Sequence, residues 1–210
     1  MRNASGLRWA LLVALLASPI VASAQSAPAD RRLRIENGPN QGLSHTDTLG
    51  IKYNYRYLTS TITNDSTVPI HLRIALSSEY AYPAAHGDRK YKVFLLPREL
   101  TPDAPSLVNN MTDGLGSFLD RCLENPYILD RILEPREQCV VTIGTLYSQP
   151  ANCGVVPSAL FAQSDSDSLE ACDSPVGQDG STARVTLGVK LDLCDGCILI
   201  PCGQIFDPEP

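Results

Sequence analysis

Seven cysteines are the residues of this chain best suited to chemistry, and their spacing is uneven. Cys194-Asp195-Gly196-Cys197 is followed closely by Cys202. Three chemistries compete for that group. A disulfide between Cys194 and Cys197 would staple the neck of a hairpin, where facing residues lie about 5.5 Å apart at Cα. A redox pair needs a thiolate, which a C-x-x-C motif gains at a helix N-terminus, where the dipole lowers the thiol pKa. A zinc site could take Cys194, Cys197 and Cys202 as three thiolates. Asp-Gly between two alternating apolar runs signals a two-residue hairpin turn, not a helix start, so the structural bridge is preferred. In that register Cys194 faces Cys197, Leu193 faces Ile198, Leu191 faces Ile200 and Val189 faces Cys202. Cys202 then points to the opposite face, and one tetrahedral site would need a break at Pro201.

The remaining cysteines fit a disulfide framework in an oxidising compartment. Cys153 and Cys172 bracket the most irregular part of the chain, and a bridge between them would close a loop of about twenty residues, removing about 3 kcal/mol of unfolded-state entropy. Cys122 with Cys139 is the first pairing, which leaves Cys202 as the odd thiol; Cys139 with Cys202 is nearly as good.

Other candidates carry bland alternatives. Tyr53, Tyr55 and Tyr57, spaced by two, could stack sugars, yet such a stripe more often packs against neighbouring strands. Tyr80 and Tyr82 could join that platform. Asp165, Asp167 and Glu170, interleaved with Ser164, Ser166 and Ser168, offer hard oxygen ligands for calcium, but they lack the glycine and third ligand of an EF-hand loop. A solvated acidic loop is the default. His45, His71 and His86 have no metal-binding spacing, and neither H-E-x-x-H nor G-x-S-x-G occurs. No cofactor is expected.

The elements that must position these residues are mostly strands. Period-two alternation is clearest over 184–193 and 69–77. In 51–63 the apolar phase flips after Tyr57, which predicts a β-bulge or a bend near Tyr57–Leu58. Asn64-Asp65-Ser66 supplies turn chemistry, predicting an antiparallel hairpin with the strand that follows. Shorter strands are expected at 32–36, 91–96 and 138–147. Leu115, Phe118, Leu119 and Cys122, then Ile128, Leu129 and Ile132, have helical spacing, so 115–133 reads as short helical turns. Residues 148–183 read as a long loop tethered by its two cysteines.

Two stretches carry a resemblance. Asn64-Asp65-Ser66-Thr67-Val68-Pro69-Ile70 resembles the N-x-S-x-x-P-I crossing of exported bacterial immunoglobulin-like sandwiches. Leu133-Glu134-Pro135-Arg136-Glu137 resembles the L-x-P-G-E turn that precedes a later strand in such domains, with Arg136 in place of the usual glycine. The resemblance spans residues 50–147 and implies a fold, not a function.

Export is expected from the N-terminus. Arg2 and Arg8 precede an apolar run from Trp9 to Ala17, and Ala22-Ser23-Ala24 offers a cleavage site, so residues 1–24 read as a signal peptide. The run is too short to span a bilayer. Cleavage leaves fifteen basic and twenty-three acidic residues, a net charge of −8. That sign repels phosphate backbones, which argues against nucleic-acid binding. Residues 25–30 form a flexible lead-in, and 31–210 a single all-β, immunoglobulin-like antiparallel β-sandwich with a short helical insert and a disulfide-tethered loop. The function expected is an exported, periplasmic or secreted, non-catalytic binding or structural module with an unidentified protein or glycan partner. The strand edge near Pro201 is a candidate for partner pairing. The alternatives are a secreted enzyme with its site in 148–183, and a Cys-ligated metal domain.

Overall fold

A computed structural model of the chain describes residues 33–82, 89–101, 114–149, 153–162, 172 and 185–206. The expected signal peptide, the lead-in, His86 and the acidic cluster Asp165, Asp167 and Glu170 lie outside these residues. The described chain is all-β, with strands β1 (Leu33–Asn37), β2 (Gln41–Thr46), β3 (Lys52–Asn64), β4 (Ile70–Ala75), β5 (Ser77–Ala81), β6 (Lys90–Leu96), β7 (Ile128–Leu133), β8 (Gln138–Ser148), β9 (Val156–Ala162), β10 (Val185–Leu193) and β11 (Gly196–Phe206). Among the described residues one α-helix, α1 (Leu115–Arg121), and a 3-10 turn, Arg98–Leu100, interrupt them. The first sheet runs β1-β3-β8-β6-β5, with β2 also paired to β3, and the second runs β7-β4-β11-β10-β9. Every pairing is antiparallel.

The two sheets enclose one apolar core, to which Ile62, Val93, Leu95, Val141 and Ile143 come from the first and Leu72, Ile74, Leu187, Val189 and Ile200 from the second. A smaller cluster lies on the other face of the first sheet, where Tyr55, Tyr57, Phe94 and Leu146 meet Leu115, Leu119 and Cys122. This double cover explains the flipped phase of β3. No bulge occurs at Tyr57–Leu58, and the register with β8 runs unbroken from Tyr53↔Ser148 to Thr63↔Gln138. Tyr55 and Tyr57 are buried beneath α1, whereas Leu58 and Ile62 are buried on the opposite face. The apolar side of the strand changes because its covering layer changes.

Asn64-Asp65-Ser66 does not close a hairpin. It carries the chain from the first sheet to the second, where β4 pairs with β7 and β11. The Asn64 side chain, fully buried, holds the crossing. Its Nδ2 donates to the carbonyls of Val68 and Leu133, both at 2.9 Å, and its Oδ1 accepts from Ser66 N at 3.0 Å and Ser66 Oγ at 2.7 Å. The Asn64 carbonyl in turn accepts from Arg136 N at 2.8 Å. Arg136 has φ 70°, the left-handed conformation that glycine adopts without steric cost. Arg136→Gly is therefore expected to raise stability by about 1 kcal/mol, read as a higher denaturation midpoint; its exposed ion pair with Asp65 offers little to lose.

The stretch 69–77 also divides. Leu76 is a buried corner, after which Ser77 enters the first sheet beside β6. Of the helical turns expected over 115–133, α1 forms, but 128–133 is strand β7. Its Ile128 and Ile132 face water while Leu129 and Leu133 turn inward, so spacing that suited a helix belongs to a strand with apolar residues on both faces. Within 148–183, strand β9 forms at the margin of the second sheet, paired with β10. Asn37 closes the gap between β1 and β9: its Nδ2 donates to Leu160 O at 3.0 Å and its Oδ1 accepts from Leu160 N at 2.9 Å. A side-chain amide there performs the task of a neighbouring strand.

Candidate functional site

The β10–β11 hairpin carries Cys194, Cys197 and Cys202, and its register decides which of them face each other. Leu193 faces Gly196, Asp192 faces Cys197, Leu191 faces Ile198 and Val189 faces Ile200. The two-residue turn is thus Cys194-Asp195, one residue earlier than Asp-Gly suggests. Side-chain period survives a slip of this kind, so Leu191 and Ile200 remain on the buried face. Cys194 and Cys197, however, no longer oppose each other.

Each cysteine joins a distant partner instead. Cys153 is bridged to Cys194 with Cα atoms 5.3 Å apart, and Cys172 to Cys197 with Cα atoms 4.8 Å apart. Both bridges differ from the expected pairs Cys194–Cys197 and Cys153–Cys172. Cys194 N donates to Cys153 Sγ at 3.0 Å, and Tyr82 Oη donates to the Cys153 carbonyl at 3.2 Å, so the bridge is fixed on both sides.

Cys122, Cys139 and Cys202 remain buried thiols. Cys122 lies in the cluster under α1 and Cys139 in the core between the sheets, so the first sheet itself separates the expected pair. Burial pushes the Cys202 thiol up to about 12 and the Cys122 thiol up to about 11, and burial also raises that of Cys139. Thiols held neutral at physiological pH are poor nucleophiles and poor metal ligands. With Cys194 and Cys197 bridged, the three sulfurs considered for zinc are not available together as thiolates. No group of three metal-donor side chains occurs among the described residues.

The tyrosine stripe is absorbed into packing. Tyr55 and Tyr57 are buried, with stacked rings 5.2 Å apart, and Phe94 stacks on Tyr55 at 6.0 Å. Gly144 leaves room for these rings: a Cβ there would lie 2.6 Å from Phe94 and 2.9 Å from Tyr55. Tyr53 is half-buried and donates to Asp47 Oδ2 at 3.2 Å. Tyr57 Oη donates to Gln41 Oε1, whereas the fully buried Tyr55 hydroxyl has no hydrogen-bond partner among the described residues. Tyr55→Phe removes that unpaired group and is expected to stabilise the fold by about 1 kcal/mol, measured by denaturant unfolding. Tyr80 and Tyr82 pack on Tyr91, at 5.7 and 5.1 Å between ring centroids, apart from that stripe.

Two histidines join elements. Buried His45 meets Asp120 through Nε2 and Oδ1 at 2.7 Å, pinning α1 to β2. His71, on the outer face of β4, meets Asp130 of β7 at 2.5 Å. Pro201 faces Gly188 inside the hairpin, and the pairing of β4 with β11 begins only at Gly203, past Pro201.

No protein-family model, curated protein or solved structure matches the chain. Among the described residues no helix is long and apolar enough to cross a membrane. What the surface does offer is apolar strand edge and turn: Ile128 and Ile132 on β7, and Leu49 at the β2–β3 turn, where Asp47 Oδ1 accepts from Leu49 N at 2.9 Å and Ile51 N at 2.8 Å. Sequence reading missed Asn37 and Asn64 as structural polar groups. The asparagine opening N-x-S-x-x-P-I was the available signal for the second; Asn37, beside Gly38 and Pro39, resembles any turn residue.

Proposed function

We propose that this chain is an exported, non-catalytic binding or structural module, built on an immunoglobulin-like sandwich and serving as part of an envelope or surface assembly. The observation that carries this reading is the fate of the reactive groups. Four sulfurs are spent in bridges that tie the β10–β11 turn to Cys153 and Cys172, and the other three lie in the apolar interior. Bridged cysteines suit an oxidising compartment, in agreement with the signal-like residues 1–24. The partner is a protein or glycan, for which Leu49 at the β2–β3 turn offers exposed apolar surface.

The test combines export and thiol state. The exported product should begin at Gln25 by N-terminal sequencing. Unfolded without reductant it should react with three equivalents of a thiol reagent, and folded with none, since two bridges leave three buried thiols. Bound zinc with five or more thiols would overturn the proposal. So would turnover of a hydrolase or thiol-exchange substrate that is abolished in Cys194→Ser.

A further inference from the structure

Each sheet margin is treated differently. At β9 the Asn37 amide occupies the Leu160 backbone groups. At β5 Ser77 Oγ donates to the Cys122 carbonyl at 2.9 Å, and Glu79 pairs with Lys90 at 2.8 Å. Along β2 buried His45 is tied to α1. The margin at β7 carries apolar surface instead. Ile128 is 46 % exposed and Ile132 52 % exposed, on the same face of the strand, with Asp130 between them. An exposed apolar strand at a sheet margin invites another strand, and natural folds ordinarily blunt it.

We propose that β7 pairs with β7 of a second copy of this chain, antiparallel about a two-fold axis at Asp130, joining the second sheets of two molecules into one. The choice of occupant rests on self-complementarity. Two identical antiparallel strands related by a two-fold axis must place one residue opposite its own copy, and residues that face each other share a side of the sheet. Centring on Asp130 sets Ile128 opposite Ile132 of the other copy, twice. Centring on Arg131 would place two arginines opposite each other and set both isoleucines' places against charged or mismatched residues. Centring on Ile132 would set Asp130 opposite Glu134. Cross-strand β-branched pairs on a shared face are a recognised source of sheet stability.

The approach of two Asp130 carboxylates is offset within each molecule. His71 Nε2 lies 2.5 Å from Asp130 Oδ1, and Arg73 Nε lies 3.8 Å from Oδ2. Each acid therefore reaches the axis already engaged by His71 and Arg73 of its own β4. On the inner face, Leu129 of one copy would meet the aliphatic stem of Arg131 of the other, an arrangement that leaves the guanidinium free to reach Glu137 as it does in the single chain. A six-residue margin is a small interface, so the dimer should be reversible and concentration-dependent.

The experiment uses the mature, oxidised protein in sedimentation velocity over a concentration series. The expected result is a shift from monomer to dimer mass at high micromolar concentration. Ile132→Lys, at a half-exposed site where folding tolerates a lysine, should weaken association at least tenfold. Asp130→Cys tests the register separately. Facing residues in an antiparallel pair have Cα atoms about 4.5–5.5 Å apart, within disulfide reach, so an added oxidant should convert this variant into a covalent dimer. A wild-type chain that stays monomeric throughout, as it would if β7 received a strand from another protein, overturns the proposal. So does a dimer indifferent to Ile132→Lys, or one that Asp130→Cys fails to trap. A monomer would leave the non-catalytic reading of the stapled end intact, because the thiol count does not depend on β7.

Discussion

Removing the Cys153–Cys194 bridge with a paired Cys153→Ala, Cys194→Ala change is expected to lower unfolding free energy by about 4 kcal/mol. The two residues are 41 apart in sequence, and the bridge deprives the unfolded chain of the freedom of that whole loop. Removing Cys172–Cys197, which spans 25 residues, should cost slightly less because the closed loop is shorter. The two bridges act on different loops that meet at one turn. Urea denaturation of both variants beside the oxidised parent measures the difference. A loss below about 1 kcal/mol for the first pair would show that the crossing is already held by β9 and β10, leaving the bridge redundant.

The second large effect belongs to Asn64. Asn64→Ala should cost about 3 kcal/mol or more, since it strips a hydrogen bond from the buried Leu133 carbonyl and releases Ser66 from its turn. Removing one partner of a buried polar pair is worse than removing both, because the orphaned group keeps its desolvation penalty. Asn64→Asp is expected to be no milder. It preserves the acceptor for Ser66 but replaces the donating amide with a charge in a site without access to water. Equilibrium unfolding reads both variants. Amide exchange along β4 should quicken selectively, as this strand begins just past the crossing. A change under 1 kcal/mol in Asn64→Ala would mean that the crossing is set by the strands on either side of it, with the asparagine merely filling space.

Much of this architecture was legible in the residues, and the failures have distinct physical causes. Alternation identified the strands that became β3, β4, β6, β8 and β10, because one face of each packs on apolar neighbours. It misjudged β7, where isoleucines at the margin face water and imitate helical spacing. It passed over β9, whose Pro157, Ala159 and Ala162 weaken the apolar signal, and β2, which is short and polar. The hairpin between β10 and β11 was legible, but its turn was set one residue too late, since Asp-Gly is a strong local preference that yielded here to the pairing of the flanking strands. That single residue altered the disulfide assignment completely. Cysteine connectivity depends on which distant segments the fold brings together, as β9 and β10 do for Cys153 and Cys194, and nothing local to a cysteine records that. The face shared by Ile51, Tyr53, Tyr55 and Tyr57 is covered only in part: Tyr55 and Tyr57 are buried, whereas Ile51, nearer the start of the strand, remains exposed.

The strand order has a bearing on how this chain must mature. In the first sheet β8 lies between β3 and β6, and in the second β11, the last strand of the described chain, lies between β4 and β10. A polypeptide emerging from its N-terminus presents β3 and β4 long before their central partners appear. Neither half of the second sheet can join the other until Gly203–Phe206 has arrived to receive β4. Such sequence-distant pairing makes assembly slow and leaves strand margins open to misassociation along the way. Cys153 arrives ahead of Cys194, so its proper bridge must wait for the same late segment, and oxidation that outpaces the last strand would trap the wrong cysteines together.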